Sequence, residues 1–247
     1  MSVQVAQRTG VEADVWSALD TVRDPELDES IVELTFVTEV QVDSDAVRVQ
    51  LRLPTYFCAP NFAYLMVSDA FDAVTRMASG RAVRIRLEDH FASDEINGGV
   101  SAGAGFQGAF PGQAREELAE LRLAFQRKAH AACLERASAQ LLRGGWTIEA
   151  LDEARLSDLP DTPERESLLR RRADLGLSID PAQPMFVDAD GRPVGKPDLA
   201  SQLRLARATR VSIEGNSGMC RGLLKTRYGD GITKGTLSAV TSERTSQ

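Results

Sequence analysis

The chain of 247 residues has few of the side chains on which metal centres and many active sites depend. It contains two histidines and three cysteines, and the cysteines are too far apart in the sequence for a CxxC metal knuckle. Their odd number also disfavours a disulfide framework, so we expect reduced thiols. The HExxH, P-loop and ExxH motifs do not occur. Enzyme catalysis is therefore poorly supported, and single thiols are the first candidates for a site.

A long apolar run is also absent. No stretch approaches the ~18 consecutive apolar residues of a membrane span, and the first 20 residues lack the basic and apolar regions of a secretory signal. The 29 basic residues are outnumbered by 36 acidic ones, and the net charge of −7 disfavours a general nucleic-acid binder. We therefore expect a cytoplasmic protein with neither a membrane nor a nucleic-acid partner.

The first third of the chain has the pattern of a small α/β unit. Apolar residues at helical spacing predict a helix from Val11 to Val22, which Asp24-Pro25 ends because the residue before proline disfavours the α region. Alternating apolar residues from Val40 to Leu53, interrupted by polar turn residues, predict a β-hairpin with one buried face. This unit is predicted to start with a helix followed by two antiparallel strands.

A second helix and a third strand complete the predicted unit. A wide apolar stripe from Phe62 to Met77 predicts a helix that Asn61 caps and Gly80 ends. Alternation from Arg81 to Glu88 predicts a strand that returns to the sheet. The order helix, hairpin, helix, strand makes a small α/β sandwich over residues 11–90. The fold class is α+β, with a mostly helical C-terminal domain after the sandwich.

Beyond residue 90 the composition changes. Residues 91–112 carry six glycines and few large apolar side chains, and we interpret them as a linker or lid. Residues 113–214 are predicted to be a mostly helical extension, and residues 215–247 a flexible basic tail. Within the extension, the patterns predict helices at 113–143, 148–154, 163–174 and 198–208 and short strands at 186–187 and 211–214.

Cys58 is the most informative candidate residue. It lies in a turn after a predicted strand and three positions before the predicted helix cap, where the helix N-terminus would favour a thiolate over a thiol. That position suits a nucleophile or a metal ligand. The alternative is a small buried apolar residue, because free cysteines are often buried.

Three short segments in this order resemble a known family. They are Asp24-Pro25-Glu26-Leu27, then Ser30-Ile31-Val32-Glu33-Leu34, and then Thr55-x-x-Cys58-x-Pro60 before an amphipathic helix. The run resembles the iron-sulfur cluster assembly domain shared by the SufT and PaaD proteins and the eukaryotic cytosolic assembly targeting factor. The sequence of residues 53–74 looks most like that of the accessory proteins of binuclear-iron hydrocarbon monooxygenases. The sequence differs from the family at Thr35, where glycine is usual, and at residues 88–91, where a Trp- and Pro-containing segment is common.

The resemblance implies a site and a function. In that family the cysteine matching Cys58 is the key reactive position, with the segment containing Asp24 and Glu26 near it and Thr55 in the same motif. It implies transient binding of iron or an iron-sulfur cluster during maturation of a client metalloenzyme. The expected partners are that client and other assembly proteins, with a homodimer left open.

Two further residues are candidates for the same site. Cys220 lies among three glycines and precedes Arg221, which would favour its thiolate, and we expect this segment to fold back onto Cys58; the alternative is an unstructured tail. His90, at the end of the third predicted strand, is a candidate metal ligand because imidazole suits iron; the alternative is an ordinary surface residue. His130 and Cys133 share one helix face, where alanines around them favour a structural contact.

A glycine motif in the predicted linker is similar to the motif of dinucleotide-binding proteins. Residues 103–108 spell GxGxxG, but about 15 residues separate the motif from the last strand and Pro111 follows it, so it does not fit a dinucleotide-binding turn. A flexible lid beside Cys58 is the preferred interpretation. The sequence as a whole predicts a non-enzymatic maturation factor. Its rivals are a metal-free folding chaperone or scaffold and an enzyme that uses Cys58 as nucleophile.

Overall fold

The structure, a computed structural model, describes residues 10–112, 115–188 and 191–229. These residues form two compact units. The first holds residues 10–24, 29–112 and 219–229, and the second holds 25–28, 115–188 and 191–218. Across the described ranges, no helix is long and apolar enough to cross a membrane. The predicted α+β class, with a small sandwich followed by a mostly helical region, is confirmed.

The first unit begins with two helices and a three-stranded sheet. These elements are α1 (Val11–Asp20), β1 (Val37–Val42), β2 (Ala46–Arg52), α2 (Pro60–Met77) and β3 (Ala82–Glu88). The strand order in the sheet is β1-β2-β3. Strands β1 and β2 form the predicted antiparallel hairpin, and β2 pairs with β3 in parallel because α2 crosses between them. Helices α1 and α2 pack against each other, and they contact β1 and β3, respectively.

The register of the sheet explains why alternating apolar and polar residues predicted its strands. Val49 pairs with Ile85 and Leu51 pairs with Leu87, and all four side chains are buried. The polar residues between them have greater exposure. Each strand therefore presents one apolar face to the core, which is the arrangement that the two-residue period predicts.

Residues 91–112 are helical, and their interpretation as a linker or lid is wrong. They form α3 (Ser93–Ser101) and α4 (Gly105–Ala109). Ile96 and Phe106 are buried, and the Phe106 ring lies 5.2 Å from that of Tyr64 on α2. A Cβ atom on Gly99 would lie 2.5 Å from the Cβ of Ala109. The glycine therefore permits close packing of the two helices and does not signal flexibility.

The second unit is helical, as predicted. The elements that follow α4 are α5 (Arg115–Arg143), two 3₁₀ turns (Ile148–Glu153 and Leu156–Asp158), α6 (Pro163–Asp174) and α7 (Lys196–Tyr228). Thr162 caps α6, accepting a hydrogen bond from the backbone of Arg165 (3.4 Å), and Pro163 occupies the first turn, as the sequence indicated. One apolar core joins α5, the segment 151–159, α6 and the start of α7.

Helix α7 overturns two predictions. The predicted strand at 211–214 is part of this helix, and so is the segment 215–228 that was interpreted as a flexible tail. The other predicted strand, at 186–187, is reduced to an isolated bridge between Val187 and Pro193. Leu224 is 3% exposed, which shows that the end of α7 belongs to a packed core. The rest of the predicted tail, 230–247, lies outside the described residues.

Candidate functional site

Cys58 lies in the loop between β2 and α2, in the first unit. Leu53 and Pro54 are buried and anchor the start of this loop. Helix α2 begins at Pro60 with Ala59 as its N-cap, so the prediction that Asn61 caps the helix is wrong by two positions. The Cys58 side chain is half-buried, and its Sγ lies 3.4 Å from the Thr55 hydroxyl. Of the predicted supporting residues, Thr55 therefore contacts the thiol directly.

His90 holds the Cys58 loop from the end of β3. Its Nδ1 accepts a hydrogen bond from the Ala92 backbone N–H (3.2 Å), so Nε2 carries the proton and donates to the Cys58 carbonyl (2.8 Å). Burial lowers the pKa of His90, and the positive charge of Arg227 lowers it further. The hydrogen bond to Cys58 raises this pKa but does not cancel the effect of burial. The imidazole is 4% exposed and neutral at pH 7. Metal ligation by His90 stays a prediction, and it would require one of these two bonds to break.

A second set of contacts fixes the same loop. The Phe91 backbone N–H donates to the Tyr56 carbonyl (3.1 Å). The Arg227 guanidinium, near the end of α7, donates to the carbonyls of Leu53 (3.2 Å) and Asp89 (2.7 Å). Asp89 has φ 52°, a left-handed conformation that only a minority of non-glycine residues adopt. Arg227 therefore joins both sides of the site.

Sequence reasoning missed the place of Arg227, because it was assigned to a solvated basic tail. A signal was present in the spacing of Leu224, Arg227 and Tyr228. Residues three and four positions apart share a helix face. On this face Leu224 is buried. The centroid of the Tyr228 ring lies 5.4 Å from the guanidinium carbon of Arg52 and 4.9 Å from that of Arg227.

Three exposed aromatic side chains surround the Cys58 loop, and we call them the aromatic patch: Tyr56, Phe57 and Phe91. The ring centroids lie 5.0 Å apart for Tyr56 and Phe57, 6.0 Å for Phe57 and Phe91, and 6.3 Å for Tyr56 and Phe91. Phe57 is 77% exposed and the other two are 46% exposed. Contiguous exposed apolar groups mark interaction sites more often than isolated ones do. The loop of the thiol therefore contributes Tyr56 and Phe57 to a potential contact surface, which Phe91 completes from the segment after β3.

The remaining predicted neighbours of Cys58 have partners of their own. Asp24 is buried, and its backbone N–H donates to the Glu29 carbonyl (2.9 Å), which closes the turn between them. Glu26 belongs to the second unit, where its carboxylate accepts a hydrogen bond from the Asn216 amide (3.1 Å). Their support of Cys58 stays a prediction.

Cys220 lies on α7 and is half-buried. Its segment is helical, so the flexible, glycine-rich approach to Cys58 predicted for it is wrong. The next residue, Arg221, donates to the Glu33 carbonyl (2.8 Å) and forms an ion pair with Glu29. Cys220 precedes Arg227 by seven positions, which corresponds to about 10 Å along a helix. A metal ion shared by Cys58 and Cys220 stays a prediction.

Cys133 has the structural role that its alanine-rich surroundings predicted. It is 2% exposed in the core of the second unit, and its thiol lies 3.9 Å from the Asp28 carboxylate. Burial, reinforced by Asp28, raises the pKa of Cys133 to about 11, so the thiol is protonated at neutral pH. Among residues 10–112, 115–188 and 191–229, no three His, Cys, Asp or Glu side chains are grouped so that they could hold a metal ion.

Comparison with known proteins places this site in a family. Residues 12–87, which include Cys58 and its supporting strands, match the family described as iron-sulfur cluster assembly protein. An uncharacterized protein of Methanocaldococcus jannaschii is 32% identical over 85 residues, which cover 34% of this chain and 87% of that protein. No solved structure matches the chain at a significant level. On the strength of the two sequence matches, the chain belongs to the iron-sulfur cluster assembly protein family.

Proposed function

We propose that this protein is an accessory factor that passes iron or an iron-sulfur precursor to a client metalloenzyme, with Cys58 as the sulfur contact. The proposal rests on the structure of the Cys58 loop. A half-buried thiol lies in a loop that hydrogen bonds from His90 and Arg227 fix, and this loop also carries Tyr56 and Phe57 of the exposed aromatic patch. A partly accessible thiol and an exposed apolar surface thus occur together.

The cargo would bind weakly to one chain, and weak binding suits transfer. Thiolates are the ligands that iron-sulfur clusters prefer, and a cluster takes four protein ligands. Cys58 supplies one of them, and the client or a second assembly protein supplies others during transfer. Arg227 adds a positive charge at the loop, which favours an anionic cluster or sulfide. Cys220 and His90 remain candidates for a share in the ligation.

The client is proposed from the resemblance of residues 53–74 to accessory proteins of binuclear-iron monooxygenases. It would dock on the aromatic patch, whose member Phe91 lies where the family commonly has a Trp- and Pro-containing segment. In this proposal the protein works in the cytoplasm as a stoichiometric factor and not as an enzyme. Its helical second unit would select the client.

The aromatic patch also favours a rival, a metal-free chaperone or scaffold that binds the same client. Such a protein needs the patch and does not need the thiol. An enzyme with Cys58 as nucleophile needs the thiol and a substrate that it turns over. Substitutions of Cys58 and of Phe57 therefore separate the three functions.

The test uses cells of the source organism in which the chromosomal copy carries Cys58→Ser, Phe57→Ser or the control Met77→Ser, which removes a 41% exposed apolar side chain at the end of α2. The iron content and activity of the co-purified client are measured. We expect Cys58→Ser to leave a client that binds but lacks iron, and Phe57→Ser to reduce client binding. A fully iron-loaded client from Cys58→Ser cells would overturn the proposal and favour the metal-free chaperone.

A further inference from the structure

The second unit contains a cavity of about 320 Å³ that lies between α5, the segment 175–188 and α7. Its wall is mainly apolar. A volume near 300 Å³ is at the lower end of the range for small-molecule sites, which are typically apolar with a few polar groups. The apolar side chains of the wall include Leu134, Leu177, Phe186, Leu203 and Ala206.

One polar side chain in this wall lacks a partner. His130 lines the cavity and is 8% exposed, and its Nε2 atom is buried without a hydrogen-bond partner. A buried polar atom without a partner is costly, and folded proteins rarely leave one unsatisfied. Burial and the nearby charge of Arg172 lower the pKa of His130 to about 4, so the imidazole is neutral at pH 7. A neutral ring presents either an N–H donor or a lone pair at Nε2.

The charges around the cavity favour a negative group. Arg172 is 1% exposed, and its guanidinium donates to the main-chain carbonyls of Ser178 (2.7 Å), Pro184 (3.2 Å) and Met185 (3.2 Å). Carbonyl oxygens solvate this charge without neutralising it. Arg127 in the cavity wall adds a second positive charge.

The acidic residue of the wall is already engaged. The Asp188 carboxylate lies 3.8 Å from the Arg192 guanidinium, which balances its charge. An apolar ligand that carries a carboxylate would therefore meet an excess of positive charge and a histidine that can donate a hydrogen bond.

We propose that this cavity binds a small carboxylate with an apolar body, in the manner of a medium-chain fatty acid. The carboxylate accepts a hydrogen bond from Nε2–H of His130, and the apolar chain contacts Leu134, Phe186 and Ala206. Binding satisfies the unpaired imidazole and fills the cavity, so the ligand stabilises the folded second unit. The inference does not depend on the function proposed for Cys58.

The presence of only two histidines makes the test direct. Full-length protein labelled with ¹⁵N-histidine is titrated with decanoate, and the two imidazoles are followed by NMR. We expect the ring signals of His130 to shift while those of His90, in the first unit, do not. Decanol, which has the same chain and no charge, is expected to bind at least tenfold more weakly. Unchanged His130 signals at saturating decanoate, or equal binding of decanol, would overturn the proposal.

Variants of His130 test the hydrogen bond. His130→Phe retains a ring and removes the donor, and decanoate should bind about ten- to a hundredfold more weakly because a hydrogen bond to a charged group is lost. His130→Gln retains an N–H donor and should bind within a few-fold of the wild type. Equal affinity of all three proteins would contradict the assigned contact. If His130→Phe does not fold, the comparison of decanoate with decanol on the wild type decides by itself.

Discussion

Nε2 of His90 donates a hydrogen bond to the main-chain carbonyl of Cys58 over 2.8 Å, which ties the end of β3 to the residue that carries the candidate thiol. The acceptor belongs to Cys58 itself, so the orientation of its side chain depends on this bond. A second bond, from the Ala92 N–H to Nδ1, fixes the tautomer that makes Nε2 the donor. His90 is therefore a positioning residue for the loop.

The first prediction concerns this bond. His90→Phe removes the donor and leaves the Cys58 carbonyl without its partner, so we expect a loss of about 1–3 kcal/mol in the free energy of unfolding. We also expect faster alkylation of Cys58, measured by peptide mass spectrometry, because the loop opens more often. His90→Gln retains an N–H donor and should restore part of both effects. An unchanged alkylation rate in His90→Phe would show that the bond does not control the loop.

The second prediction is a pH dependence of stability. The pKa of His130 is about 4 in the folded protein and 6.5 as its ordinary value, so the unfolded chain binds the proton more tightly. Its stabilising contribution, about 3 kcal/mol in total, is complete above pH 6.5 and is lost as the pH falls towards 4. Between pH 7 and pH 5 the wild type should therefore lose about 2 kcal/mol more than His130→Gln does. Equal losses in urea titrations at the two pH values would contradict this assignment.

The third prediction concerns Thr35, where the family usually has glycine. Thr35 has φ 60°, in the left-handed region that a β-branched residue rarely adopts. Thr35→Gly removes a strain of about 1–2 kcal/mol and adds a smaller entropic cost. We expect a net gain of about 1 kcal/mol and a rise in melting temperature of ~2–4 °C by calorimetry. The matched change Thr75→Gly, within helix α2, should lower the melting temperature because glycine has a low helix propensity. A lower melting temperature for Thr35→Gly would refute the strain argument.

The fourth prediction tests whether Arg227 fixes the loop. Arg227→Gln removes hydrogen bonds to the carbonyls of Leu53 and Asp89, and the loop should open more often. Hydrogen exchange at the Phe91 amide, which bonds to Tyr56, should then become about tenfold faster, as expected for a loss of about 1–2 kcal/mol.

Arg221→Gln is the matched control for this prediction. It removes the same charge from the same helix, but its contacts are with Glu29 and Glu33. The exchange of the Phe91 amide should remain unchanged in this variant. Equal acceleration in both variants would indicate general loosening of the helix and not a specific role for Arg227.

Local patterns predicted most of the first unit because its elements follow local rules. The alternation around Val49 and the apolar stripe of α2 matched their elements within a few residues. The cap and proline of α6, Thr162 and Pro163, also lie where the sequence placed them. In each case the signal comes from neighbours within one turn or one strand, where propensity and burial agree.

Two of the errors arose in segments rich in glycine. Gly99 was taken as a sign of flexibility, yet it permits contact with Ala109, and only the tertiary structure shows that neighbour. The glycines at 215, 218 and 222 lower helix propensity, but α7 continues through them. The contacts of Arg227 with residues 53 and 89 join positions more than 130 residues apart, and no local pattern encodes them.

The most direct test of the central claim is iron K-edge X-ray absorption on full-length protein, purified without oxygen and loaded with iron and sulfide. The wild type should bind iron with sulfur neighbours. Cys58→Ser should lose most of this iron, while Cys133→Ala, which changes a buried protonated thiol, should retain it. Cys220→Ser would show whether a second thiolate contributes. If Cys58→Ser bound the same amount of iron with the same spectrum as the wild type, Cys58 would not be the sulfur contact.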